Sequence, residues 1–287
     1  MTAAAPTGVI HDIGYQRYRG PRLGRGYAVR SLYVHSLRTA FGLGRSVKAK
    51  IFPWTVVGLV VIVATVVTAV RSQTGEAVLT YVRFPGAVQF LVILFCAAVA
   101  PELVSCDLRS GLLPLYFSRP VTRTDYALAK FVALVSAVWL LLAVPQLLMF
   151  LGGVFSVDGV RAVWHEAGDF APGLTYAAMY AVVFAALSIL VASLAGRRAV
   201  AAAVIVAAFL VTTPVVGVLS VVGTDTTREL AGLASPMTLL AGVGSWLFDA
   251  GQLTVIGPYG PLYGAVTVGL VAACVLLLII RYRKVAR

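Results

Sequence analysis

Few residues in this chain could do chemistry, and their spacing excludes more reactions than it supports. His11, His35 and His165 fall in three different solvent-side segments, and spacing alone does not bring them together. Cys96 and Cys274 lie inside apolar runs and Cys106 just beyond one. No CxxC or Cys/His pair is present, so neither a disulfide nor a metal site is expected. HExxH and GxSxG are absent, and no aspartate stands in the middle of an apolar run. Gly42-Leu-Gly-Arg-Ser-Val-Lys comes nearest to a phosphate-cradling loop, but its spacing departs from GxxxxGK[ST]. The chain reads as no enzyme, with no cofactor of its own, and any ATP-driven work would need a second polypeptide.

What remains is one polar stretch, Glu102 to Lys130, between two long apolar runs. An ordinary connection needs only a few polar residues. This one mixes both signs of charge with Gly111, Pro114 and Pro120. Leu108, Leu112, Leu115 and Tyr116 fall at helical spacing from Asp107 onward. Pro114 costs roughly 3 kcal/mol in a helix interior. The expected solution is therefore a break near Gly111, with a short new helix carrying Pro114 in its first turn. Pro120 ends that piece. Thr122 or Thr124 then caps the next helix, with Asp125 in its first turn. The result is a compact helical knuckle shaped to meet another surface.

The elements that must hold this knuckle are membrane spans. Of 287 residues 60% are hydrophobic and only 12% charged, against about a quarter charged in soluble domains. A span needs about 20 mostly apolar residues. Six stretches qualify: 52–70, 84–103, 131–154, 173–195, 199–222 and 261–280. The expected fold is an all-α polytopic membrane protein with six transmembrane helices. Gly196-Arg-Arg makes a tight hairpin between the fourth and fifth, and Pro145 and Pro214 sit inside spans as local kinks. The 223–260 loop is long and apolar, and its short segments are expected to dip into the outer leaflet as re-entrant helices. Trp246, Tyr259 and, just past the loop, Tyr263 suit an interfacial belt.

The net charge of +12 raises nucleic acid as a partner, but its distribution argues for membrane orientation. Nineteen of the 23 lysines and arginines fall on one side of the six spans, with both termini and the knuckle, while seven of the eleven acidic residues fall on the other. By the positive-inside rule both termini are cytoplasmic. Residues 1–26 read as a flexible cytosolic arm. Its Tyr15-Gln-Arg-Tyr-Arg run is assigned to a membrane or partner contact rather than to RNA. Residues 27–50 read as an amphipathic elbow helix in the headgroup layer before the six-helix transmembrane domain 51–287. Val29, Tyr33, Leu37, Ala40, Phe41 and Gly44 form its apolar face, and Ser31, His35, Arg38, Gly42 and Arg45 the other. The polar residues within spans are Thr65, Thr68, Gln89, Gln146, Thr212 and Thr213, types that satisfy backbone or bridge helices more often than they bind an ion.

Asp107-x-Arg-Ser-Gly-Leu, Ser118-Arg-Pro-Val-Thr-Arg, Tyr126 and Lys130 together resemble the Glu-Arg-x-x-Gly-Thr-Leu…Arg-Pro-Val-Ser-Arg…Lys signature of ABC-2 type permeases. These are the membrane subunits of many bacterial ABC exporters. Asp for Glu at 107, Leu for Thr at 112 and the added Pro114 depart from that pattern. The resemblance implies that the 105–126 segment docks on a cytosolic ATP-binding subunit, which holds ATP and Mg. Asp107, Arg109, Ser110, Gly111, Leu112, Leu115, Tyr116, Arg119, Pro120, Arg123, Asp125 and Tyr126 would form the coupling element. It also implies a second permease chain, the same or homologous, and a path lined by the second and fifth spans, where Gln89, Thr212 and Thr213 stand. The aliphatic spans permit a hydrophobic or amphipathic cargo such as a drug, antibiotic, lipid or peptide. The arginine-, alanine- and valine-rich composition suggests a bacterial source, hence the bacterial cytoplasmic membrane. A non-transporting scaffold or assembly factor is the competing reading, and an ion-coupled carrier comes third for want of reactive groups.

Overall fold

The computed structural model describes residues 20, 23–44, 47–75, 77–109, 121–156, 159–248 and 254–285, with backbone alone at 48, 105–109, 284 and 285. Every regular element among them is helical. In chain order these are α1 (Arg25–Ala40), α2 (Val47–Thr74), α3 (Phe84–Ala87), α4 (Gln89–Arg109), α5 (Arg123–Phe155), α6 (Val160–Leu194), α7 (Arg198–Leu210), α8 (Thr212–Val222), α9 (Asp225–Leu230), α10 (Pro236–Phe248) and α11 (Gly260–Val285). Five are long and apolar enough to cross a membrane: α2, α5, α6, the α7–α8 pair and α11. The expected second span is shorter: its apolar part runs over Gln89–Val104 and is preceded by α3 across a break at Val88.

The centre is the antiparallel pair α5–α6. Half of α5's apolar window and 61% of α6's is buried, against 22% or less for α2, α7–α8 and α11. Small residues allow that closeness: Ala129, Ala133 and Ala137 on α5 and Ala177, Ala181 and Ala185 on α6 are all buried. Around the pair, α1 and α2 pack on α5, α4 packs on α6 and α7, and α11 packs on α6 and α10. Tyr176, Tyr180 and Phe184 repeat every four residues on α6, so their rings lie one above another. Tyr180 stacks on Phe184 with centroids 5.2 Å apart, and Phe184 on Phe209 of α7 at 4.5 Å.

Several sequence expectations meet detail here. The fourth predicted span begins at 173, yet α6 begins at Val160 and carries Pro172 in its interior. The polar residues that ended the apolar run belong to the same helix, because Glu166 and Phe170 turn inward on partners from α2, α5 and the 75–83 connection. α5 runs unbroken through Pro145. The fifth span instead breaks at Val211, beside the Leu210 carbonyl that Pro214 leaves without its usual donor. On α1 the buried positions are Leu32, Ser36 and Ala40, one residue ahead of Tyr33, Leu37 and Phe41. Its apolar side packs against α5 and α4, and small Ser36 and Ala40 permit the approach. Arg25, placed in the flexible arm by sequence, opens α1.

The 42–44 turn has a structural role of its own. Gly42 takes φ of +67° and donates to the Thr39 carbonyl at 2.9 Å, ending α1. A Cβ there would meet the Ala49 carbonyl oxygen at 2.9 Å, so the glycine lets α1 fold back against the start of α2. At the far end α9, a 3-10 turn (Ala231–Ala234) and α10 form a pair bent by 116°. Tyr263, expected in an interfacial belt, is fully buried instead. Gly232 and Gly242 leave room for its ring, and its hydroxyl donates to the Glu229 carbonyl at 2.7 Å. Trp246 remains 44% exposed.

Candidate functional site

Two polar regions stand at opposite ends of the bundle. At the α1 end, α5 starts with a full capping box. Thr122 accepts from the Asp125 N–H at 3.2 Å, and Asp125 accepts from the Thr122 N–H at 3.0 Å. Of the two caps that the spacing allowed, Thr122 is the one used. Asp125 also accepts two hydrogen bonds from Arg25, from Nε and from Nη2, each 2.8 Å long. This fork-to-fork geometry ties the first residue of α1 to the first turn of α5. The carboxylate raises the Arg25 pKa above its ordinary value, chiefly through the hydrogen bonds.

The neighbouring residues tie α5 to α11. Arg123 Nη1 donates to the Arg283 carbonyl at 3.1 Å. Tyr126 is fully buried and meets Tyr282 edge-on at 5.2 Å. Its ring thus packs the start of α5 against α11. Lys130, 4% exposed, lies 5.4 Å from the Tyr126 ring centre. Three further contacts close this end: Glu102 pairs with Arg198, Arg281 Nε donates to the Ser193 carbonyl at 3.0 Å, and Tyr33 donates to Ser136 Oγ at 3.0 Å. Asp107 and Arg109 fall in the last turn of α4. Ser110, Gly111, Leu112, Leu115, Tyr116, Arg119 and Pro120 lie outside the described residues.

The path candidates gather near the other end. Gln89 and Thr213 line one cavity of about 230 Å³, with Tyr176, Tyr180 and Met237 among its walls. Thr212 lies beside it and serves the break in the fifth span. Its hydroxyl reaches the Phe209 carbonyl and Ser235 Oγ, each at 3.0 Å. Thr213 bonds the Phe209 carbonyl at 3.3 Å and lies 3.8 Å from Met237 Sδ. The two threonines thus fasten the bent 225–248 pair to the fifth span.

Sequence reasoning missed the strongest polar cluster. Arg71 at the end of α2 grips Glu166 of α6 with two hydrogen bonds, 2.6 and 2.7 Å long. The Tyr81 hydroxyl donates to the same carboxylate, and Gln146 of α5 donates to the Tyr81 carbonyl at 3.0 Å. Glu166 is 6% exposed. Burial first, and then this hydrogen bond, push the Tyr81 phenol pKa well above its usual value. The available signal was weak: two lone opposite charges beside the ends of apolar runs. No set of three or more His, Cys, Asp or Glu converges on a metal-sized site among the described residues. No known family model matches the chain, and no curated protein is similar to it.

Proposed function

We propose that this chain is the permease subunit of an ATP-driven exporter of the ABC-2 type in a bacterial cytoplasmic membrane. In this reading it has six spans and cytoplasmic termini, and it pairs with a second permease chain and with cytosolic ATP-binding subunits. The 105–126 segment receives the stroke. The cargo is a hydrophobic or amphipathic compound, since the spans offer it aliphatic and aromatic surface.

One observation carries the proposal: the helix that follows the segment is tied at its first turn to two other helices. Asp125 is bound to Arg25 of α1, and Arg123 and Tyr126 meet Arg283 and Tyr282 of α11. A push on the segment would therefore move α1, α5 and α11 together. α5 is half of the central pair, so its tilt would reach the far-end cavity through α6. A scaffold has no need of such ties at this one place.

Purification in mild detergent followed by mass spectrometry should recover a soluble ATPase in fixed ratio. The Arg119→Glu, Arg123→Glu double variant, expressed at wild-type level, should assemble but lose transport-coupled ATP hydrolysis. Normal coupling in that variant would remove the segment from the mechanism. Recovery of no ATPase would favour the scaffold reading.

A further inference from the structure

At the α1 end a cavity of about 680 Å³ opens between α1, α4 and α5. Its volume falls within the roughly 300–1,000 Å³ of small-molecule sites. Arg30 and Arg38 line it from the exposed side of α1, and Lys130 lines it from α5 although that side chain is almost wholly buried. Glu102 is the lining's single carboxylate among the described residues, and it pairs with Arg198. The wall is therefore net positive. Cations at this density favour a phosphate, because ammonium and guanidinium donate charge-assisted hydrogen bonds to its oxygens. Ser31 and Thr39 add hydroxyls on the same wall.

The rim tells what carries the phosphate. Tyr27, Val34 and Leu43 also line the cavity and are 59%, 41% and 42% exposed. Apolar side chains left open beside a cationic pocket suit an amphiphile whose head enters and whose chains lie along α1. We infer that this cavity holds the phosphate of an anionic phospholipid, with Arg30 and Arg38 on its oxygens and Lys130 closing the site from α5. Occupancy would link α1 to α4 and α5 on the helix that carries the Arg25–Asp125 tie, so bound lipid would stiffen that joint. The site needs no ATPase, and its test is independent of the transport reading.

The test uses the purified full chain in micelles of equal phosphatidylglycerol and phosphatidylcholine, with retained lipid measured by mass spectrometry. Wild type should retain phosphatidylglycerol selectively. Arg30→Gln/Arg38→Gln should lower that retention roughly thirtyfold, from about 1 kcal/mol for each of the two basic residues near a charged lipid surface. Arg161→Gln/Arg228→Gln, which removes the same charge at the far end, should leave it unchanged. Both arginine pairs are exposed, and a helical melt checks that the variants fold. If the first pair fails to fold, Arg38→Gln alone should still lower retention severalfold. Equal retention in wild type and the first variant, or equal loss in both pairs, overturns the site. Low-millimolar inorganic phosphate should not release the lipid. Release would assign the pocket to a soluble phosphate ester and overturn the phospholipid as its occupant.

Discussion

The two ends of the molecule use the same chemistry under opposite conditions. Each joins helices about a hundred residues apart through a two-pronged arginine–carboxylate pair, Arg71–Glu166 at the far end and Arg25–Asp125 at the α1 end. At the far end the side chains are 23% and 6% exposed, and Tyr81 and Gln146 complete the network. At the α1 end Arg25 is 61% exposed. A buried pair that loses one member leaves a stranded charge, whereas an exposed pair exchanges its partner for water. The far end is thus built to stay shut, and the α1 end to be remade. Under the permease reading proposed above, a chain that receives force on one side and keeps its helices aligned on the other would use this asymmetry.

The largest expected effect comes from Glu166→Gln, which strands the Arg71 guanidinium. The loss should be about 3 kcal/mol, read as a lower melting temperature in detergent; a shift within scatter would mean that water already reaches the pair. Tyr81→Phe removes one hydrogen bond to a charged group and should cost about 1.5 kcal/mol. It also has a pH signature. Because the folded phenol pKa is raised, the contribution is intact below the ordinary tyrosine value of about 10 and is lost as pH rises above it. The wild-type advantage over Tyr81→Phe should therefore shrink in alkaline melts. At the α1 end, Thr122→Ala should cost about 1 kcal/mol through the lost cap. Arg25→Gln should leave the melt nearly unmoved, yet change coupled ATP hydrolysis and its salt dependence. A large stability loss from Arg25→Gln would erase the contrast between the two ends.

Much of the fold was legible in the chain. The helices, a start of α5 at Thr122 or Thr124, short helices before the last span and the basic face of α1 all follow from local pattern. The site was legible only in part. Arg123 and Asp125 were singled out, but as surfaces for a partner; their ties to Arg283 and Arg25 join positions 160 and 100 residues apart, which no spacing rule reaches. Glu166 was lost because a charge beside Gly168, Pro172 and Gly173 looks like a loop. Tyr263 was assigned to the membrane surface because an aromatic near a span end usually belongs there, and two glycines distant in sequence make the cavity that holds it.

The sequence by itself determined that the chain is helical and roughly where five long apolar helices run. A backbone in hydrocarbon must satisfy its own hydrogen bonds within each segment, so local composition suffices. It also marked the polar stretch between the second and third apolar runs as unlike an ordinary connection. Only the tertiary structure decided which face of α1 is covered, which arginine meets which carboxylate, and which pair is buried. Apolar helices can pack in many registers of similar energy, and the choice among them is made by small residues that permit close approach and by charges that pair only after the helices have met.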